Sequence, residues 1–236
     1  MTASLRKRDR AREHVIELIR ARAVGQAIPS ERQLSADLGI SRPTLRAVVD
    51  DLIRDGWLTR EHGRGMFVGT PKVEQSILGG STYPPAPGTW TSRVLEHAVI
   101  PAGTTIGSRL RVTPGTAVLR ITRLRSVDGE PLAVETIHVL DELVPALDLT
   151  AIETGSFYAL LRHQYDVQPT DAEQTHEAAA ATADEAALLG LPEGAPLLIL
   201  DRVTRDQHGR YFEYTRAAYR GDRYRVTTHL SLTDLT

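Results

Sequence analysis

The chain has 236 residues, enough for one large or two modest domains. Its 41% hydrophobic content is ordinary for a soluble globular protein, its apolar runs are too short to span a bilayer, and its start predicts no secretory signal. The absence of cysteine excludes disulfides, thiolate metal sites and thiol nucleophiles, and it fits the cytoplasmic location that we expect. The net charge of −2 conceals an asymmetry, because residues 1–70 are net basic and the remainder is net acidic. This distribution is expected when only the first part of a chain meets nucleic acid.

Three helices are predicted within the first 55 residues. Apolar spacing predicts a first helix over Leu5 to Ala23 and a short second helix over Ser30 to Gly39, which opens with a capping box of Ser30 and Gln33. The third helix is predicted over Ser41 to Asp55 and has one apolar stripe of period 3.6. The residues of that stripe are Leu45, Val48, Val49, Leu52 and Ile53.

The third helix has the features of a DNA recognition helix. The face opposite the stripe carries Arg42, Thr44 and Arg46 near the amino terminus, which is the end that such helices place in the major groove. A short turn, Gly39-Ile40, joins it to the second helix, as in a helix-turn-helix. Residues 57–69 predict two short strands around a glycine-rich turn, and therefore a β-hairpin wing.

Four motifs stand in order between Ile28 and Val68: P-S-E-R-x-L, L-G-[IV]-S-R, [TV]-[LV]-R and H-G-x-G-x-[FYT]-V. This stretch resembles the DNA-binding domain of GntR-type bacterial transcription regulators. The resemblance implies DNA contacts by eight residues: Arg32, Ser41, Arg42, Thr44, Arg46, His62, Gly63 and Arg64. Pro43 departs from the commoner Thr or Ser, which removes one polar contact and predicts a different operator preference. The alternative for each arginine is a surface ion pair.

The composition changes after the wing. Residues 70–89 are rich in Gly and Pro and show no helical or alternating period, which predicts a linker. From Ser92 onward the patterns predict an α+β domain with mostly antiparallel hairpins. Strands are expected over residues 94–100, 117–127, 131–139, 168–178, 197–206, 210–219 and 223–230, and helices over 106–112, 156–165 and 182–189. The predicted domains are a winged helix over 1–69, a linker over 70–90 and a second domain over 91–236.

The second domain carries five further motifs in order: R-L-R at 123–125, D-G-E-P-L at 128–132, S-F-Y at 156–158, F-E-Y-T at 212–215 and Y-R-G-D-R-Y at 219–224. Together they resemble the UTRA effector domain of the HutC branch of GntR regulators, which has a chorismate-lyase-like fold. The resemblance implies a site for a small anionic metabolite, for example a phosphosugar. The residues implied in effector binding are Arg123, Arg125, Glu135, Ser156, Tyr158, Glu213 and Tyr219.

The residue types agree with an anionic ligand. Arg123 and Arg125 lie two apart on one strand and therefore share a face, where they require solvent or an anion. Ser156 opens a helix whose free N–H groups favour a phosphate or carboxylate. The alternative is a pair of structural ion pairs, Arg123 with Glu135 and Arg125 with Glu213. Many relatives have a helical F-[ST]-E segment over the ligand, and the proline-rich stretch 81–88 replaces it here, which leaves other anionic metabolites open.

We therefore predict a ligand-responsive transcription regulator, a repressor that binds a near-palindromic operator as a homodimer, with no metal, cofactor, catalytic residue or membrane segment. One alternative is a constitutive DNA binder with a degenerate pocket. Another is a lyase-like enzyme, although no nucleophile elbow, P-loop or metal-spaced histidine pair occurs. Its acid–base candidates would be Glu135, His138, His163, His176 and Glu177.

Overall fold

The helices and strands of the chain fall into two groups, which a computed structural model describes over residues 3–77 and 88–228. The chain divides into two compact units, Met1–Val73 and Glu74–Thr236. None of the helices in the described ranges is long and apolar enough to cross a membrane.

The first unit contains three helices and a small antiparallel sheet. The helices are α1 (Ala3–Arg20), α2 (Glu31–Leu38) and α3 (Arg42–Arg54). The strands are β1 (Ala27–Ile28), β2 (Leu58–Glu61) and β3 (Gly65–Val68), in the order β1-β3-β2. The predicted winged helix-turn-helix is therefore confirmed. Strand β1 was not predicted, because two residues are too few to show a period.

The apolar stripe of α3 builds the core of this unit. Leu45, Val48, Val49 and Leu52 are buried, and they pack with apolar side chains of α1, α2 and the sheet. Helix α1 ends at Arg20 rather than at the predicted Ala23, whose neighbourhood is exposed and makes a turn toward β1. The sequence pattern predicted too long a helix, because Ala23 is exposed and contributes no side chain to the core.

The second unit is built on a six-stranded antiparallel sheet. Its strands are β5 (Trp90–Pro101), β6 (Ala117–Val127), β7 (Glu130–Leu140), β8 (Pro169–Ala180), β9 (Pro196–Asp206) and β10 (Tyr211–Arg220), in the order β5-β6-β7-β10-β9-β8. Two further strands, β4 (Val73–Ile77) and β11 (Tyr224–Thr228), form a separate two-stranded sheet. The helices are α4 (Thr104–Leu110), α5 (Leu149–Thr154), α6 (Phe157–Tyr165) and α7 (Ala183–Leu189), and a 3-10 turn covers Asp141–Leu143.

Helices cover both faces of the large sheet. On one face, α5 and α6 pack over Leu119, Ile121, Ile137 and Val139, which alternate along β6 and β7. On the other face, α4 and α7 cover two separate apolar clusters. This arrangement confirms the predicted antiparallel α+β domain. Helix α5 was not predicted, because its six residues are shorter than two helical turns.

The predicted linker, residues 70–90, differs from the expectation in two places. Val73–Ile77 form strand β4, which pairs with β11 about 150 residues further along, and Trp90 already begins β5. Pairing to a distant strand supplies the order that no local period could indicate. Residues 78–87, where the proline-rich replacement of the F-[ST]-E segment was expected, lie outside the described residues, as do 229–230 of the last predicted strand. The domain boundaries stay a prediction.

Candidate nucleic-acid interface and ligand cavity

The amino-terminal end of α3 is open to solvent. Ser41 is its N-cap: the hydroxyl accepts the Thr44 backbone N–H at 3.3 Å and lies 2.7 Å from the Thr44 hydroxyl. Arg42 and Arg46 are exposed, and 69% of the Arg46 side chain is accessible. Pro43 lies in the first turn, where a missing N–H leaves no carbonyl unsatisfied. The cap orders the backbone at the end that a recognition helix offers to DNA.

A network of ion pairs joins the start of α2 to α3 and the wing. The Glu31 carboxylate accepts from the Arg46 Nε at 3.1 Å and from an Arg60 amino group at 2.6 Å. Arg60, on β2, also donates to Asp50 at 3.0 Å. Glu31 bonds the Nε of Arg46, so the two terminal amino groups of that guanidinium point away from Glu31. These two groups are the ones that make bidentate contacts with guanine or phosphate. Neither Glu31 nor Arg60 was predicted from the sequence as part of this surface.

The turn between β2 and β3 forms the tip of the wing. His62, Gly63 and Arg64 are exposed there, and Gly63 has a φ of +74°, a conformation that favours glycine. Arg64 pairs with Glu61 and lies over the Phe67 ring at 5.4 Å from its centroid. Arg32, on α2, is also exposed. Seven of the eight predicted DNA-binding residues are exposed and Thr44 is half-buried, so the surface is accessible as predicted, while its contacts with DNA stay a prediction.

A cavity of about 290 Å³ lies between the large sheet and the α5–α6 region of the second unit. All seven residues predicted to bind an effector line it, although they come from four separate parts of the chain. They are Arg123 and Arg125 on β6, Glu135 on β7, Ser156 and Tyr158 at the start of α6, and Glu213 and Tyr219 on β10. Their effector-binding role stays a prediction.

The first charged cluster of the cavity centres on Glu135. The carboxylate lies opposite Arg123 in the β6–β7 register and accepts from it at 2.5 Å, while Arg125 is 3.7 Å away. Burial opposes ionisation of Glu135, but the charges of Arg123, Arg125 and Arg202 outweigh it and lower the pKa to about 2. The Arg123–Glu135 ion pair, named above as the alternative to effector contact, is therefore present, and the carboxylate is ionised at neutral pH.

The second charged cluster centres on Glu213, which is fully buried. One of its oxygens accepts from the Tyr158 hydroxyl at 2.7 Å and from the Thr204 hydroxyl at 2.6 Å, and the other accepts from Thr215. Arg202 lies 3.6 Å from the same carboxylate and 5.3 Å from the centroid of the Tyr158 ring. The cation beside Glu213 that completes this cluster is thus Arg202, whereas the alternative considered above paired Glu213 with Arg125. Burial, with the nearby Glu213 charge, raises the pKa of Tyr158, so its hydroxyl stays a donor.

Aromatic side chains complete the cavity. The Arg125 guanidinium lies 4.3 Å from the centroid of the Trp90 ring and donates to the Tyr219 hydroxyl at 3.4 Å. Ser156 caps α6 by accepting the Ala159 N–H at 3.4 Å, which places the amino terminus of that helix at the cavity. These contacts hold Arg125 in one orientation within the cavity.

Several lining residues were not predicted, among them Arg202, Trp90, Ser92, Glu153 and Gln75. Arg202 and Glu213 lie on adjacent strands, and only the β9–β10 register brings them together. The three arginines and two glutamates of the two charged clusters sum to a formal +1, and Glu153 brings the sum to zero. The cavity is therefore highly charged but close to balanced.

The family comparisons match both units. Residues 7–68 match the model "Bacterial regulatory proteins, gntR family", and residues 87–225 match the UTRA domain. The chain is similar to the HTH-type transcriptional repressor NagR of Bacillus subtilis, with 34% identity over 84% of this chain and 82% of the relative. The chain belongs to the GntR family. It carries the UTRA domain in its second unit.

Further matches agree with this membership. The HTH-type transcriptional repressor PhnF of Mycolicibacterium smegmatis is 31% identical over 86% of this chain and 84% of its own length. The crystal structure of PhnF from Mycobacterium smegmatis superposes with a TM-score of 0.78 at 27% identity and covers 94% of this chain and all of that one. This GntR–UTRA protein is a DNA-binding transcription regulator with an effector domain, and not an enzyme.

Proposed function

We propose that this GntR–UTRA protein is a homodimeric cytoplasmic repressor that leaves a near-palindromic operator when a small anionic metabolite occupies the UTRA cavity. The observation that carries the proposal is the single cavity lined by all seven predicted effector residues. The relatives NagR and PhnF, which are similar over most of the chain, are repressors, and this supports repression rather than activation. Two-fold symmetry of a dimer would be mirrored in the operator.

The arrangement of charges supports a ligand with one anionic group and several hydroxyl or amine groups. Arg125 and the amino terminus of α6 at Ser156 would hold the anion. Glu135 would accept from a hydroxyl or amine, because it is ionised at neutral pH. Glu213, whose oxygens already accept from neighbouring side chains, would orient Tyr158 toward the ligand. A phosphosugar has this combination of groups, and the cavity volume is at the lower end of the range for small-molecule sites.

The DNA-binding half of the proposal is tested with duplexes selected in vitro by the wild-type protein. Arg42→Ala should lower the affinity at least about fivefold and reduce the slope of log affinity against log salt by about 1. Arg54→Ala is the matched control, because Arg54 is an exposed arginine at the other end of α3. Equal losses in the two variants would contradict the proposed interface, and failure to select any duplex would contradict the function.

The effector half is tested by a thermal-shift screen of phosphosugars and other acidic metabolites. A specific ligand at a hundred times its Kd should stabilise the protein by about 2.7 kcal/mol. Arg125→Gln should abolish the shift. Arg120→Gln should keep it, since Arg120 is on the same strand but pairs with Glu96 on the opposite face of the sheet. A panel without any stabilising ligand would favour a constitutive DNA binder.

A further inference from the structure

Gln75 links two features of the chain that are otherwise separate in sequence. It lies on β4, only three residues after Lys72, and its side chain lines the UTRA cavity. It is buried, with 3% of its surface exposed, and it is the lining residue of the cavity nearest in sequence to the DNA-binding unit. Its position therefore places an amide of the connecting segment inside the effector site.

The segment before β4 is fastened to the end of the recognition helix. The Gly69 N–H donates to the Trp57 carbonyl at 2.9 Å, and the Lys72 N–H donates to the Asp55 carbonyl at 3.0 Å. Asp55 is the C-cap of α3. The two chain segments run so close that a Cβ on Gly56 would lie 2.7 Å from the Thr70 carbonyl oxygen. Residues 69–72 therefore follow the carboxyl end of α3 as one body.

The segment after Lys72 is ordered within the second unit. Strand β4 pairs with β11, and the Thr227 hydroxyl donates to Glu74 at 2.5 Å. Three residues of extended chain span at most about 10 Å, so little slack separates Gln75 from the part bonded to α3. The backbone path from Gln75 to Lys72 is therefore short.

We infer that Gln75 is the residue through which occupancy of the UTRA cavity reaches the recognition helix: the bound effector displaces its amide, and β4 carries the displacement to the Asp55 end of α3. This inference rests on the proposed function, since it requires an operator and a regulatory cavity. It assigns a positioning role to Gln75, which neither the sequence motifs nor the charged clusters of the cavity indicated. A ligand can shift the protein between two states only through such a differential contact.

The chain contains no cysteine, so a thiol reagent will modify only a cysteine that is introduced by mutation. In Gln75→Cys, the thiolate attacks 2-sulfonatoethyl methanethiosulfonate; an S–S bond forms, methanesulfinate leaves, and a small anionic group remains in the cavity. We expect the conjugate to bind a duplex selected by the wild-type protein at least about tenfold more weakly, within the range of allosteric couplings, and dithiothreitol to restore the affinity. The matched control is Ser92→Cys, which lines the same cavity from β5 and should change the affinity less than about threefold when conjugated.

A second variant keeps the test decisive if the cysteine variant folds poorly. Gln75→Glu is isosteric and places a carboxyl group in the cavity, so it should lower the operator affinity at least about fivefold, whereas Ser92→Asp should not. The inference is overturned if neither Gln75 variant, conjugated or charged, weakens operator binding. Weakening by the Ser92 conjugate alone would show a regulatory cavity without this relay, and would leave the proposed function intact. A wild-type protein that selects no duplex would instead refute the proposed function itself.

Discussion

Replacing Glu135 by glutamine tests the electrostatics of the UTRA cavity directly. The pKa of Glu135 falls from an ordinary value of 4.5 to about 2 in the folded protein. Since a tenfold change in proton affinity is worth about 1.4 kcal/mol, the ionised carboxylate contributes roughly 3 kcal/mol of stability at pH 7. The variant also leaves the buried Arg123 without its carboxylate partner, a loss that typically costs about 3–5 kcal/mol. We expect Glu135→Gln to lower the free energy of unfolding by about 3 kcal/mol or more at pH 7.

The pH dependence of this loss has a definite sign. The folded-state pKa is depressed, so the contribution is complete above about pH 4.5 and disappears as the pH falls toward 2. The difference between wild type and Glu135→Gln attributable to ionisation should therefore fall below about half of its neutral value near pH 3. This contribution cannot be supplied by the amide, because glutamine has no charge at any pH.

Tryptophan fluorescence during urea unfolding measures the loss of stability in the second structural unit, which contains Glu135. The chain has two tryptophans, and Trp57→Phe leaves Trp90, which contacts Arg125 in the cavity. Glu173→Gln, an exposed carboxylate on β8, is the matched control and should change stability by less than about 0.5 kcal/mol. A loss below about 1 kcal/mol at pH 7, or an equal loss at pH 7 and pH 3, would refute this account of Glu135.

Three further predictions concern the DNA-binding unit and its controls. Glu31→Gln removes the negative charge that holds Arg46, so it should raise the affinity for random duplex DNA and lower the ratio of operator affinity to random-duplex affinity. Competition titration measures this ratio, and an unchanged ratio would show that the Glu31–Arg46 pair does not orient Arg46. Ser41→Ala removes the N-cap of α3 and should lower the free energy of unfolding by about 1 kcal/mol, measured by thermal unfolding. The same variant should also bind the operator more weakly. Gly69→Ala would place a Cβ against a backbone carbonyl oxygen and should destabilise the first unit by about 2 kcal/mol, whereas Gly103→Ala, which has open space around it but replaces the N-cap of α4, should cost about 1 kcal/mol or less in the same unfolding assay.

Apart from β1, the elements of the first unit were predictable because each rests on a local rule. The stripe of Leu45, Val48, Val49 and Leu52 sets the buried face of α3 by period alone. Ser41 then marks the start of that helix through a side-chain cap within four residues. The exposure of Arg42 follows from the same period, since a residue opposite the buried stripe faces solvent.

The hairpins of the second unit were predictable for a similar reason. Asp128 and Gly129 both have positive φ, as a two-residue hairpin turn requires, so the sequence Asp-Gly marks the turn. The turn alone would put Arg123 opposite Val134, and a register shift between Arg125 and Ser126 moves the pairing by one residue, so that Arg123 lies opposite Glu135. The motif resemblance contributed the remaining effector residues, which no period or spacing indicates.

Long-range pairing supplied the rest of the site. Arg202 reaches Glu213 only because β9 and β10 align in one register, and Gln75 reaches the cavity only because β4 pairs with a strand about 150 residues away. A short stretch of sequence cannot indicate such contacts, because their backbone hydrogen bonds join segments that are far apart in the chain. Local patterns thus settled the hairpins, the helices other than the short α5, and which arginines of the first unit face solvent. The balance of charge in the cavity, and its connection to the recognition helix, depended on how distant strands pair, because electrostatic and hydrogen-bonding partners are set by distance in space rather than in sequence.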